Sequence, residues 1–311
     1  MKTEKCLADL QLEVIYNDKC VQCGSCGAFC QNIFYEGGKL NFKEQCSETV
    51  GVCYNFCPRS ELNLPDLDMK MFGKKRDDQA LGVYLKAAKA SLANADLGDV
   101  TAALLVSALE AGSIDSVVLG NANVEKALEP VICKSKDEIV ANAGERKGLG
   151  PIVQGAGKAI KDGLDKIAVV GRPCHAQGLA KIKTSTDFKV NQDKIALVIA
   201  QFCLAQGKGC PVCLDYSGEF ADISLDAKTG EMLIRTDFGQ GIVDKAIEAG
   251  YIEIEDADVS GMQDKASNKK ITNYKKILAK SNDVVTADYV KLDTDGLKKV
   301  LAETKKPKAA K

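Results

Sequence analysis

The sequence predicts an α+β chain made of two chemically distinct regions, and three observations carry that reading. Seven of the thirteen cysteines crowd between Cys20 and Cys57, and four more lie between Cys174 and Cys213. Beyond Asp77, short strands apolar on both faces alternate with helical stretches, the pattern of an α/β domain with a largely parallel sheet covered on both sides. A β-hairpin and a helix follow toward the C-terminus. The expected organisation is a cysteine-rich domain over 1–62, a linker over 63–76, the α/β domain over 77–260 and an extension over 261–311, whose basic end, KKPKAAK, reads as a solvated, disordered tail.

Each element follows from local pattern. Ile33 to Phe42 (IFYEGGKLNF) has Gly37–Gly38 at its centre and reads as a hairpin. Leu62 to Arg76 contains Pro65, Gly73 and a KKR run, the punctuation of a linker. Asp99–Ala111 is predicted helical with Asp99 as its cap, and Ser116–Leu119 is a short strand. Ser135 and Glu138 have capping-box spacing at a helix start, and another helix follows Pro151. Lys166–Gly171 (KIAVVG) and Lys194–Gln201 (KIALVIAQ) are apolar strands, with a helical stretch, His175–Lys183, after the first. Asp222–Leu225 and Met232–Thr236 flank the turn residues Lys228–Thr229–Gly230 as a second hairpin, and Val243–Ala249 is predicted helical.

Composition removes several function classes. The 42 basic residues nearly cancel the 43 acidic ones, so no global field holds a polyanion, and nucleic acid is not an expected partner. No apolar run approaches the roughly 20 residues that span a bilayer, and the N-terminus lacks the apolar core of a signal peptide. The reading is a cytoplasmic protein whose thiols are reduced and available to metals. The single histidine, His175, leaves little room for mixed Cys/His zinc sites or for histidine acid–base chemistry.

Cys20, Cys23, Cys26 and Cys30 are spaced C-x2-C-x2-C-x3-C, and Cys57 is followed by Pro58. This is the bacterial ferredoxin pattern, in which three close thiolates hold one cubane and the fourth cysteine of each run reaches across to the other. The expected first [4Fe-4S] cluster therefore uses Cys20, Cys23, Cys26 and Cys57, in a ferredoxin-like two-cluster domain. A four-cysteine zinc knot is the alternative, although zinc motifs use two CxxC pairs rather than an overlapping triple. Cys30, Cys46 and Cys53 remain for a second cluster. Three thiolates suit a [3Fe-4S] cluster, or a [4Fe-4S] cluster completed by an oxygen ligand or by Cys6; a degenerate, empty second site is the other reading. Otherwise Cys6 and Cys133 read as free, buried thiols.

Cys174 and Cys203 follow the two apolar strands, so they sit at the ligand-binding edge of a parallel sheet, and Cys210 and Cys213 add a CxxC. Four thiolates can meet there around one cluster or, alternatively, a structural zinc. Arg172 can steady an anionic flavin or phosphate, or form a surface ion pair. His175 can hydrogen-bond the cluster, lie near a flavin, or serve as a helix cap. Arg235–Thr236–Asp237 reads as strand-end surface chemistry.

From about Asp77 to Glu253 the chain resembles the beta-subunit family of coenzyme F420-reducing hydrogenases and the related formate and F420H2 dehydrogenases. The matching phrases are GDVTAALLVSALEAGSIDSVVLG, GRPCHAQGLAKI, Phe202–Cys203, CPVCLDYSGEFADIS and IRTDFGQGIVDKAIEAGYIE; CYNFCPR at Cys53–Arg59 is similar to the end of the N-terminal double-cluster region of longer members. The resemblance implies a flavoprotein that binds FAD and one four-iron cluster on Cys174, Cys203, Cys210 and Cys213, with Gly98, Thr101, Gly144, Arg146 and Pro151 near the flavin. It implies transfer of electrons between coenzyme F420, through FAD, and the clusters. Three departures stand out: Gly98–Asp99 replaces a usual Gly-Gly, Arg146–Lys147 replaces a usual Lys-Tyr, and a longer segment between the equivalents of Cys203 and Cys210 is almost wholly absent.

The chain carries no metal site of hydrogenase or formate dehydrogenase type, so other redox subunits of a larger complex are expected partners. Two other classes stand beside this one: a non-enzymatic iron–sulfur adaptor that has lost F420, with or without FAD, and a zinc-stabilised interaction module.

Overall fold

The computed structural model describes residues 3–43, 46–122, 129–204, 207–279 and 290–291. In the cysteine-rich part, α1 (Leu7–Leu10) continues as a π-turn to Ile15, β1 (Ile33–Glu36) and β2 (Lys39–Phe42) pair antiparallel, and α2 (Val52–Asn55) precedes Cys57. Gly37 and Gly38, with φ of 55° and 72°, make the two-residue turn of this hairpin, where left-handed residues match the twist of the strands.

The stretch read as a linker contains β3 (Leu62–Asn63) and a helix, α3 (Leu64–Phe72). The residues that looked like breaks are its ends. Asn63 accepts the Asp66 N–H at 3.3 Å, Pro65 sits in the first turn where no intrahelical N–H is needed, and Gly73 stops the helix at φ 68°. Leu64 and Leu67 bury against Val212, Leu214, Phe220 and Ile277, a long-range contact that local punctuation does not reveal. Arg76, the end of the KKR run, is buried against Asp68 and Glu219, and Glu219 also takes Lys270 at 2.6 Å.

Thereafter come β4 (Lys86–Leu92), α4 (Val100–Glu110), β5 (Ser116–Gly120), β6 (Pro130–Cys133), α5 (Lys136–Ala141), α6 (Ile152–Lys161), β7 (Ile167–Gly171), α7 (Pro173–Lys183), β8 (Ile195–Gln201), β9 (Ile223–Leu225), β10 (Glu231–Ile234), α8 (Asp237–Glu248), β11 (Ile252–Asp256) and α9 (Ser260–Ala279). The eight strands from β4 onward form one sheet in the order β11-β4-β10-β9-β8-β7-β5-β6. Only β5, β7, β8 and β9 run parallel; the other pairings are antiparallel, so the sheet is mixed and partly parallel rather than largely parallel. The correction comes chiefly from β4, whose KAAKASL lacks β-branched and aromatic residues. It is held as a strand by partners on both sides and by Ala88 and Ala90 facing the core, because strand formation follows packing more than propensity.

The helix caps are local and match the sequence pattern. Asp99 Oδ1 accepts the Ala102 N–H at 2.7 Å at the start of α4, and Ser135 and Glu138 form a capping box on α5. Residues of the apolar strands alternate between two cores: Ala168, Val170, Leu197 and Ile199 face α4, α5 and α8, whereas Ile167, Val169, Val198 and Ala200 face α6 and α7. Ala28 and Phe56 of the N-terminal part join that second core. The C-terminal tail expected to be disordered lies outside the described residues.

Helix glycines set how closely the N-terminal part approaches. A Cβ on Gly157 of α6 would stand 2.2 Å from the Ala28 carbonyl oxygen, and one on Gly178 of α7 would stand 2.0 Å from Ser25 Oγ. Gly157→Ala is therefore expected to destabilise the protein by about 1 to 3 kcal/mol through overpacking, outweighing alanine's helix preference of about 1 kcal/mol. The measurement is the urea midpoint, which should fall at unchanged slope; a raised midpoint would contradict the close contact.

Candidate functional site

The second cysteine group gathers at the carboxyl ends of β7 and β8. Cys174 lies in the first turn of α7, and Cys203 lies two residues beyond β8. The turn ending at Cys213 brings in the CxxC, and all four cysteines line one cavity with Val21, Arg59, Leu149, Arg172, Pro173 and Leu204. Donors and cations stand against these sulfurs: the Lys269 ammonium is 2.8 Å from Cys203 Sγ, and the Gly207 N–H donates to Cys210 Sγ at 3.1 Å. Burial, then the neighbouring Cys23, pushes the Cys174 thiol well above its ordinary range. A bound metal centre reverses that preference by holding the thiolate directly. Four thiols with buried cations beside them are a donor set that fits an iron–sulfur cluster.

Cys23 joins the two cysteine groups, since Val21, Cys23 and Cys174 form one buried apolar cluster with Leu149 against it. Cys20, Cys23, Cys26 and Cys57 stand within electrostatic reach of one another, and Cys53 stands within reach of Cys30 and Cys46. Burial first of all pushes Cys20 and Cys53 up to about 12 and Cys57 up to about 11. The backbone N–H groups of Gln22 and Arg59 donate to Cys20 Sγ and Cys57 Sγ, both at 3.4 Å. Cys6 lies beside Gly51 next to the Cys53 thiol, whereas Cys133 sits on β6 facing the α5 side of the sheet. Among the described residues, no three Cys, His, Asp or Glu side chains converge closely enough to grip a single metal ion.

The residues assigned to a flavin divide between two places. Gly98, Thr101, Gly144 and Arg146 come together beyond β8: the Arg146 N–H donates to Gln201 Oε1 at 2.9 Å, and Gln201 Nε2 donates to Thr101 Oγ1 and to the Gly144 carbonyl, both at 3.3 Å. A Cβ on Gly98, whose φ is 79°, would stand 2.7 Å from Ala143 Cβ, so this glycine lets the two loops meet. Pro151 instead abuts Gly24 in the N-terminal cysteine loop. Arg172 lies on the cysteine cavity while remaining within electrostatic reach of Arg146. Burial lowers both guanidinium groups, Arg146 to about 10. Among the described residues Arg146 Nε and Arg172 Nη2 are buried without an acceptor, so each has a donor to offer to an acceptor-rich group such as a flavin.

Asp99 works against an anion at the same place. Its Oδ1 takes the Ala102 N–H at 2.7 Å and its Oδ2 takes the Gly144 N–H at 2.5 Å, so a carboxylate fills the helix start that could otherwise hold a phosphate.

His175 resolves as a buried helix cap. Its Nδ1 accepts the Arg172 N–H at 2.8 Å, which leaves Nε2 to donate to the Gly150 carbonyl at 2.9 Å. Burial lowers its pKa to about 4. Arg235 is not surface chemistry: it is enclosed and ties loops together through the carbonyls of Leu81 and Val83, at 2.8 and 2.7 Å, and through Ser224 Oγ.

Comparison with known families adds a decisive observation. Two profiles describe the beta subunit of coenzyme F420 hydrogenase/dehydrogenase. The one for its N-terminal part matches residues 83–154, and the one for its C-terminal part matches 164–208 and 205–260, together more than half of the chain. The chain belongs to the coenzyme F420 hydrogenase/dehydrogenase beta-subunit family. An uncharacterized protein of Methanocaldococcus jannaschii is 26% identical over 366 aligned positions, covering 87% of this chain and 98% of that relative. That alignment is longer than this chain, so the relative carries residues missing here. The coenzyme F420 hydrogenase subunit beta of Methanothermobacter thermautotrophicus is 25% identical over 50% of this chain and 76% of its own length. In fold, the chain is similar to a chain of the F420-reducing [NiFe] hydrogenase complex from Methanosarcina barkeri, with a TM-score of 0.58 and 22% identity over 65% of this chain and 94% of the other.

The two stretches of the C-terminal match overlap at residues 205–208, between Cys203 and Cys210. The family match leaves out residues 1–82 and 261–311, and therefore the N-terminal cysteines and nearly all of α9. Sequence reasoning missed Gln201, Lys269 and Asn273. Gln201 had one visible signal, a lone polar residue closing an apolar strand; the two on α9 had none, because they act at cysteines more than 50 residues away.

Iron counting on anaerobic variants tests the cysteine grouping. Cys57→Ser is expected to lower bound iron by about four per chain and Cys46→Ser by about three or four. Full iron in either variant contradicts the corresponding set.

Proposed function

We propose that this chain is a cytoplasmic iron–sulfur flavoprotein subunit that moves electrons between coenzyme F420, through FAD, and the clusters of a larger redox complex. The observation that carries the reading is the contact of Cys23 with Cys174, which sets the two cysteine groups side by side in one buried wall. A flavin takes a hydride as a two-electron unit and releases electrons singly, whereas iron–sulfur clusters pass one at a time. In this reading Cys174, Cys203, Cys210 and Cys213 hold the cluster nearest the flavin, and Cys20, Cys23, Cys26 and Cys57 hold the next. Cys30, Cys46 and Cys53 hold the outermost, on the side from which a partner subunit is reached. Val21 and Leu149 keep water from the space between the first two sets. Arg59, Arg172 and Lys269 supply the positive charge that buried, negatively charged clusters require. Arg146 and Arg172 offer their unused N–H groups to the flavin.

A second reading, an iron–sulfur adaptor without F420, is favoured by a specific observation: the Asp99 carboxylate already takes the donors at the start of α4, and Cys203 and Cys210 are close in sequence.

The deciding experiment is anaerobic purification with iron and FAD counted per chain, followed by titration with reduced F420. The proposal predicts about one FAD, roughly 11 to 12 irons, and bleaching of flavin and cluster absorbance by reduced F420. Iron without flavin and without response to F420 overturns it in favour of the adaptor, and in that case Asp99→Gly is expected to raise FAD affinity.

A further inference from the structure

The helix α9 begins where the family match ends, yet it lies against the cysteine turn. Its buried face is Met262, Ala266, Lys270, Asn273 and Ile277, spaced four, four, three and four residues apart, as one side of a helix requires. That face is apolar at its two ends and polar in the middle. Burying an amide and an ammonium is costly unless both are bonded, and here their partners are at or beside the cysteine site. Asn273 Nδ2 donates to the Cys210 and Cys213 carbonyls, at 2.9 and 2.6 Å, and so clamps both ends of the CxxC turn. Lys269 Nζ lies 2.8 Å from Cys203 Sγ and donates to the Asp215 carbonyl at 2.7 Å. Lys270 Nζ donates to the Gln79 carbonyl at 2.6 Å and pairs with Glu219, and so anchors the helix to the sheet domain.

We propose that α9 covers the Cys174–Cys203–Cys210–Cys213 site in this chain, and that Lys269 is a positioning residue which raises the reduction potential of the cluster held there. The inference rests on the reading of those four cysteines as cluster ligands. Its physics is elementary: reduction adds one electron to a buried centre, and a fixed ammonium against a ligand sulfur stabilises the added charge more than the oxidised state. A donor to a ligand sulfur acts in the same direction, as neighbouring hydrogen bonds do at metal sites generally. Arginine at 269 would preserve the charge, whereas glutamine would keep a donor of similar length without it.

The test is an EPR-monitored redox titration of the full anaerobic chain, with the relevant signal identified as the one lost in Cys174→Ser. Lys269→Gln is expected to shift the midpoint of that signal to lower potential and leave the other clusters unmoved, while Lys269→Arg stays close to the unsubstituted protein. Loss of that cluster's iron in Lys269→Gln but not in Lys269→Arg would support the same requirement for charge. An unchanged midpoint in Lys269→Gln overturns the inference and leaves the ligand assignment standing. If Cys174→Ser removes neither iron nor signal, no cluster sits on these cysteines, and assignment and inference fall together.

Discussion

The N-terminal cysteine loop reaches the sheet domain because Gly157, Gly178 and Gly209 carry no side chains where it lands. At Gly209 an added Cβ would stand 2.0 Å from the Lys19 carbonyl, as close an approach as those along α6 and α7. The backbone completes the join, with the Val153 N–H donating to the Cys23 carbonyl at 3.0 Å at the start of α6. Glycine inside a helix costs about 1 kcal/mol of intrinsic stability relative to alanine, and here the cost is offset by a contact that sets Cys23 against Cys174. The chemistry proposed for the chain depends on that closeness, because the two cysteine groups otherwise belong to separate parts of the sequence.

Burying so many thiols together creates an electrostatic problem that the surrounding residues answer. Low-dielectric burial favours the neutral thiol, as the raised positions of Cys20, Cys53 and Cys57 indicate. Metal binding requires the thiolate, so the site must supply compensating charge and donors, and binding is coupled to the stability of the fold. Arg59 links the two groups directly: its backbone donates to Cys57 Sγ, its side chain bonds Gln177 Oε1 at 2.8 Å, and it lines the cavity of the second group. Lys181 ties the same region to α7 through the Cys57 and Glu61 carbonyls, at 2.7 and 2.6 Å. These cations reach the cysteines from several elements of a chain whose net charge is close to zero.

Features that depend on neighbours in the chain were legible in the sequence: the cysteine spacings, the Gly37–Gly38 turn, the Asp99 and Ser135 caps, and the apolar strands β7 and β8. Features that depend on distant partners were not. The helix α3 was hidden behind Pro65 and Gly73, which read as breaks until the burial of Leu67 and Arg76 gives them the role of ends. The strand β4 is poor in strand formers and exists through its neighbours. Nothing local distinguishes Lys269 and Lys270 from the chain's other lysines; one meets a cysteine sulfur and the other a buried carboxylate. The division of the residues expected near a flavin, with Pro151 against the cysteine loop and Gly98 against Ala143, is likewise a tertiary fact.

The central claim is that the Cys20–Cys57 and Cys174–Cys213 sets hold neighbouring clusters that exchange electrons directly. Low-temperature EPR of the fully reduced protein, compared with Cys174→Ser, tests it most directly. The account predicts spectra broadened or split by spin–spin interaction, which revert to the simple lines of an isolated centre when the Cys174 set is removed. A spectrum that is the plain sum of non-interacting clusters, unchanged in shape by Cys174→Ser apart from the loss of one component, would contradict it.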